Sequence, residues 1–255
     1  MGLAGIEDAN EAALRLGDSA GKISGTGFAI NAIMRVIVVL FVIGVFTLIG
    51  AAFAQAARPR TGDLSGSAIV REMNLARQHP DVYATYLESM RGQYRGNTFA
   101  TPGGALLRTK EGLAGLDEAI RFLRRAKPLG AFGLSTGMSL AAAEHVADQA
   151  NGSLGHSGSD RSNPGARMNR YGFWSARWGE NISYGKSTAR EIVMSLIVDD
   201  GLRTRKHRAN IFNPAFNYAG AAVGPHARYG IVCSIDFAGG YAEQGEALKP
   251  LFAGN

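Results

Sequence analysis

The hydrophobic pattern becomes periodic at Ser67. From there to about Met90, Ile69, Val70, Met73, Ala76, Tyr83, Tyr86 and Leu87 recur at helical spacing. This predicts a helix that Pro80 breaks or kinks. Residues 91–105 (RGQYRGNTFATPGGA) are turn formers and read as loop. A second helix is predicted over 110–126, with Leu113, Leu116, Ile120 and Leu123 apolar. Its end carries Arg121, Arg124, Arg125 and Lys127, where the helix dipole favours cations, so this run reads as a solvated helix end. Residues 134–151 predict an alanine-rich helix closed by Gly152, and a Gly/Ser/Asp/Asn-rich loop over 152–164 holds His156. Further helices are predicted over 165–171 and 186–199, the latter from Ile192, Val193, Leu196 and Ile197. Two strands follow, near 218–224 and over 229–237. In the second, Ile231, Cys233, Ile235 and Phe237 alternate with Val232, Ser234 and Asp236. Cys233 falls on the apolar face and reads as an inert buried thiol. A further strand is expected beside Gly179-Glu180-Asn181-Ile182-Ser183. There is no internal repeat.

The N-terminal quarter follows a different pattern. Val36 to Ala54 is an uncharged stretch whose one hydroxyl is Thr47, preceded by Met34-Arg35 and closed by Ala52-Phe53-Ala54. A positive start, an apolar core and an A-x-A end predict a signal peptide over 34–54. The alternative is a membrane anchor over 36–54, since ~28 Å of helix barely spans a bilayer. Residues 1–33 read as an upstream extension, with translation starting at Met34. Up to Arg35 the chain carries three basic residues against four acidic ones, where a signal peptide should begin positive. The expected organisation is then a linker over 55–65, a folded domain over 66–240 and a tail over 241–255. The expected location is secreted or periplasmic, or membrane-anchored through 36–54.

Composition narrows the function classes. The chain has 255 residues, 46% of them hydrophobic and 19% charged, which excludes wholesale disorder. Its single cysteine excludes a disulfide framework and a Cys-rich zinc ribbon within the chain. The net charge of +6 suits anionic lipid or an anionic envelope polymer as a partner. Aromatic residues are not interleaved with the basic ones, which argues against nucleic acid. There is no P-loop, no G-x-G-x-x-G and no G-x-S-x-G elbow.

Two of the five histidines sit in short polar contexts, Leu154-Gly155-His156-Ser157 and Lys206-His207-Arg208-Ala209-Asn210-Ile211. Between them lies Gly179-Glu180-Asn181. Asp199 and Asp200 end the 186–199 helix, where the dipole disfavours them, so each needs a cation, a hydrogen bond or a metal. Two histidines with carboxylates are able to hold a divalent ion. No H-E-x-x-H places two ligands on one helix face. A hydrolase built from Ser157, His207 and Asp200 lacks any supporting local context.

The order of motifs is Glu72-x-Asn74-x-x-Arg77, Leu154-Gly155-His156-Ser157, Gly179-Glu180-Asn181-Ile182, a helix ending at Asp199, then His207-Arg208-x-Asn210-Ile211-x-x-Pro214-x-Phe216, Gly220 and Asp236-Phe237-Ala238. This resembles the CAP superfamily (cysteine-rich secretory proteins, antigen 5, pathogenesis-related 1), in its bacterial SCP-like extracellular branch, over roughly 66–240. The resemblance implies an α+β fold, a three-layer α-β-α sandwich with a central, largely antiparallel sheet. It implies a cleft lined by His156, Glu180, Asp199 and His207 that holds zinc or another divalent cation. Asp199, or Asp200 one residue on, stands where the family usually has Glu. Asn181, Asp200, Arg208, Asn210 and His226 fall around this cleft as supporting residues, and Asn74 and Arg77 form the helix-one motif. Segment 91–130 is longer than a minimal family domain needs and reads as an insertion beside the core. His145 reads as a core or rim histidine. Three functions follow: a secreted non-catalytic module binding an envelope component or other ligand, a metal-assisted hydrolase of peptide or envelope polymer with Glu180 as general base, and a purely structural polar core.

Overall fold

The computed structural model describes residues 64–101 and 104–244. The expected upstream extension, the signal peptide or anchor, and most of the linker and tail lie outside these residues. Among the described residues no helix is long and apolar enough to cross a membrane.

Helix α1 (Gly66–Gln78) starts where the Ser65 hydroxyl accepts from Ala68 N, and α2 (Pro80–Ser89) starts at Pro80. The proline divides the predicted helix because it fits a first turn, where its missing N–H costs nothing. The 91–105 stretch differs from the expected loop. Strands β1 (Tyr94–Arg95), β2 (Thr98–Ala100) and β3 (Leu106–Arg108) form a small antiparallel sheet. Each strand is too short to show an alternation, and the β1–β2 turn rests on Gly96 at φ 57. Helix α3 (Leu113–Arg125) follows. Strand β4 (Gly133–Leu134) leads into α4 (Thr136–Gln149), and α5 (Pro164–Met168) is capped by Asn163. Next come β5 (Gly172–Tyr184), α6 (Ala189–Val198), α7 (Lys206–Ile211), β6 (Tyr218–His226) and β7 (Gly230–Glu243).

The main sheet has the order β4-β6-β7-β5. β7 is antiparallel to both β6 and β5, and only the two-residue β4 is parallel. One face presents Ala219, Ala221, Cys233, Ile235 and Phe237 to the buried sides of α1, α2, α3 and α6. The opposite face presents Ile182, Val232 and Ala238 to Val146, Met138 and Ala141 of α4 and to Met168 of α5. The architecture is therefore helix layer, sheet, helix layer, as the resemblance implies. Cys233 is 1% exposed and burial pushes its thiol pKa up, so it is inert. Residues 91–130 are not all peripheral, since α3 contributes Leu116, Ala119, Ile120 and Leu123 to the principal core.

Two contacts fix how α4 lies on the sheet. A Cβ on Gly220 would stand 2.3 Å from Ser139 N and 2.4 Å from the Met138 carbonyl carbon, so helix and strand meet backbone to backbone. Glu243 closes the start of α4: its Oε1 accepts from Ser135 Oγ at 2.7 Å and Thr136 N at 3.0 Å, and its Oε2 from Gly137 N at 2.9 Å. β7 thus runs past the expected domain end at 240, and its last residue supplies the anion that a helix N-terminus favours. Glu243→Ala is expected to lower stability by about 1–2 kcal/mol, read as a fall in the urea midpoint at unchanged slope.

Asn74 and Arg77 act in this frame. Asn74 Nδ2 donates to Phe132 O at 3.1 Å and its Oδ1 accepts from Phe132 N at 2.7 Å. Arg77, 3% exposed, donates to the carbonyls of Gly130, Ile211 and Asn213 and lies over the Phe132 ring. Burial lowers its pKa to about 10, which leaves it charged at neutral pH. The helix-one motif ties loops together.

Candidate functional site

The site consists of two histidine–carboxylate pairs. His156 follows Gly155, whose backbone is held from both sides: Gly155 N donates to Tyr184 Oη at 3.2 Å, and Gly155 O accepts from Gln149 Nε2 at 2.5 Å. Gly155 has φ 101, a conformation open to glycine. His156 Nδ1 then lies 2.7 Å from Glu180 Oε1. The imidazole is 55% exposed and the carboxylate 1%. The second pair is built at the end of α6. Asp199 closes that helix at φ 54, in the left-handed region that Asp tolerates. Its Oδ1 lies 2.7 Å from His207 Nδ1, and its Oδ2 accepts from His207 N at 3.0 Å. These bonds answer the dipole problem posed by an acid at a helix C-terminus. Asp200 does something else: its oxygens accept from Lys110 N and Glu111 N, anchoring the chain that enters α3.

A carboxylate only accepts hydrogen bonds, so each Nδ1 carries the hydrogen and each Nε2 keeps its lone pair in the neutral ring. Among the described residues neither Nε2 has a protein partner. The pairs are linked through amides. Asn181 Nδ2 donates to His207 O at 2.9 Å, while Asn210 Nδ2 donates to Asn181 Oδ1 at 2.8 Å and to Glu180 O at 3.3 Å. This bridge is the physical content of the Gly179-Glu180-Asn181 and His207-Arg208-x-Asn210 motifs, because it locks β5 to α7. Arg208, 2% exposed, donates to both Glu118 oxygens and stacks on Phe122. Arg205 bonds Asp199 O and Glu111, and its guanidinium holds the Glu111 carboxyl down at about 2. The loop before His207 is thereby pinned to α3.

His226 is buried. Its Nε2 donates to Ser153 O at 3.0 Å and its Nδ1 accepts from Arg228 N and Tyr229 N, so it fastens the β6–β7 turn to the loop that carries His156. His145 is 1% exposed, with Nε2 2.9 Å from Gly155 O; burial lowers its pKa and keeps it neutral. Behind His156 the structure adds residues that the sequence analysis did not place at the site. Arg167 NH2 and Ser234 Oγ donate to Glu180 Oε2 at 2.7 and 3.0 Å. Arg167 also donates to His156 O at 3.1 Å. Asp236 stands opposite Glu180 in the β5–β7 register, fully buried. One signal was available: an acid in the run Ile231–Phe237, where Ser234 is the other polar residue.

The ring nitrogens of His156 and His207 suit a borderline ion such as zinc. The acids offer it little: every Glu180 and Asp199 oxygen already accepts a hydrogen bond. Among the described residues no group of three or more His, Cys, Asp or Glu side chains converges on a common ion position. The geometry is that of acids orienting histidines, which fixes the tautomer and the ring orientation. Glu180 is shielded behind His156, so the group that meets a proton donor from solvent is His156 Nε2.

Residues 118–237 match the family model CAP, the cysteine-rich secretory protein family. This stretch is a CAP domain. Both histidine–acid pairs, the asparagine bridge, Arg167 and Asp236 lie inside the CAP domain, while α1, α2 and Glu243 lie outside the matched residues. No curated protein matches the chain. Among solved structures, an extracellular protein containing an SCP domain from Bacillus anthracis str. Ames is 18% identical, with TM-score 0.36, over 47% of this chain and 37% of that one. An outer surface protein from Borrelia burgdorferi is 14% identical, with TM-score 0.37, over 43% and 78%. A cysteine-rich secretory protein from Staphylococcus aureus is 14% identical, with TM-score 0.31, over 50% and 38%. The match thus spans less than two fifths of the Bacillus and Staphylococcus chains.

Proposed function

We propose that this protein is an extracytoplasmic binding module, secreted, periplasmic or membrane-anchored, whose CAP cleft takes a ligand without turning it over. The observation that carries this reading is the pair of Nε2 atoms left without a protein partner among the described residues, on rings whose Nδ1 atoms are locked by buried acids. Both acids are spent on orientation, and among the described residues no activated nucleophile accompanies them. Zinc or another divalent cation would be held by His156 and His207, and when bound it would supply Lewis acidity at its open positions. Glu180 and Asp199 would keep the rings aligned, with Arg167 and Asn181 fixing the acids. The net charge of +6 favours an anionic ligand, lipid headgroup or envelope polymer, by attraction that salt screens.

Zinc titration by calorimetry of the full chain beside His156→Ala and His207→Ala tests the reading. One ion per chain is expected, weakened at least about tenfold in each variant, with Glu180→Gln weakening it by about 10–100-fold through loss of orientation. A folded wild type that binds no zinc, or binds it equally in both alanine variants, would leave the two pairs as scaffolding and remove the reading.

A further inference from the structure

Asp236 poses a problem of charge. It is 0% exposed, and neither carboxyl oxygen has a hydrogen-bond partner among the described residues. Its cross-strand neighbour is a second acid, Glu180, itself buried. The donors that do bond a carboxylate here bond Glu180, while Arg167 Nε and His145 Nδ1 are buried without a partner and do not reach Asp236. Arg167 NH2, Ser234 Oγ and His156 Nδ1 all serve Glu180. On α4, His145 is neutral, with Nε2 on Gly155 O and its Nδ1 unpartnered. On β6, the residue opposite Asp236 is Gly220, which brings no titratable group. Farther along β7, the Tyr241 hydroxyl donates to Met168 O. Arg167 is thus the one fixed cation among these groups, and it is bonded to Glu180. A second ionised carboxylate here would be buried, unbonded and beside a like charge, each of which disfavours ionisation.

We propose that Asp236 is carried as an un-ionised carboxylic acid across the strand from Glu180, and that it is a positioning residue for His156. With the proton on Asp236, Arg167 has a single claimant. Glu180 keeps its bonds to Arg167, Ser234 and His156 Nδ1–H, and the His156 ring keeps its Nε2 lone pair. An ionised Asp236 would compete for Arg167 and loosen that chain of bonds. Burial and the nearby Glu180 both act in this direction, holding the Asp236 carboxyl well above the ordinary carboxylate range. This inference concerns how the His156 side of the cleft is built. It stands whether or not the cleft takes an ion.

The sign of the pH effect follows from proton counting. Above the ordinary aspartate range the unfolded chain has released this proton and the folded chain retains it, so stability falls as pH rises. Two measurements on the full chain test the proposal. In wild-type protein labelled at the aspartate carboxyl carbon, the Asp236 resonance is expected at the position of a protonated acid at pH 7. A resonance at the carboxylate position would overturn the proposal, and this reading needs no variant to fold. In Asp236→Asn, the neutral isostere, the folding equilibrium constant relative to wild type is expected to rise about tenfold per pH unit between pH 5 and 6.5. A ratio that stays flat over that range would likewise overturn it. The His156 ring is expected to keep its hydrogen on Nδ1 in this variant, read from the ring nitrogen resonances, because the neutral isostere leaves Glu180 and its bonds in place. A switch to the other tautomer would overturn the positioning role.

Discussion

Arg167→Met is expected to cost the fold about 3–5 kcal/mol, the usual effect of stranding one member of a buried ion pair. Arg167 and Glu180 are each 1% exposed and meet at 2.7 Å. Removing the guanidinium leaves Glu180 with only Ser234 and His156 as donors, and it also frees the carbonyls of His156 and Ser162. The test is a double-mutant cycle in urea. Adding Glu180→Gln to Arg167→Met should recover much of the loss, because a neutral amide no longer needs the cation. If the double variant is as unstable as the sum of the single ones, the pair is not the energetic unit described here.

Gly220→Val is expected to cost about 3 kcal/mol or more, or to prevent folding, since overpacking against backbone cannot be relieved by a rotamer change. The new Cβ would fall 2.3 Å from Ser139 N and 2.5 Å from Met138 Cβ. Accommodating it means lifting α4 off β6, and α4 carries His145 and Gln149, which hold the Gly155 carbonyl. Zinc binding should therefore fall together with stability. Gly92→Ala is the control. Nothing lies within 4 Å of a Cβ there, so its denaturation midpoint should match wild type.

The sequence pattern was legible where a period had room to repeat. The buried faces of α1 and α6 and the alternation of β7 read correctly, because each spans several turns or residue pairs; in α3 Leu116, Ile120 and Leu123 are buried as expected, but Leu113 at its first turn is 40% exposed. The small sheet over 94–108 did not, since two- and three-residue strands carry no period. Only the neighbourhood of Glu180 suggested β5. A bulge between Ser175 and Trp178, with Ala176 at φ 66, breaks its register, and its first half is largely exposed. The four candidate residues His156, Glu180, Asp199 and His207 could be named from motifs, and the structure sorts them into two pairs. The choice between Asp199 and Asp200 needed coordinates, because the left-handed turn at Asp199 decides which acid faces His207. Arg167 was invisible for a related reason. Its partners Glu180 and His156 come together only when α5 packs on β5, and no spacing along the chain encodes that.

The strand order has a consequence for when the fold can form. β7 is the last strand in sequence, yet it lies between β6 and β5 and supplies every hydrogen-bonded neighbour that β5 has in the sheet. A nascent chain that has emerged as far as His226 has made β4, β5 and β6 but cannot assemble them into this sheet. Its α4 also lacks the Glu243 anchor. Completion therefore waits until synthesis passes residue 243, and until then β5 has no partner in this sheet and its edge stays unpaired.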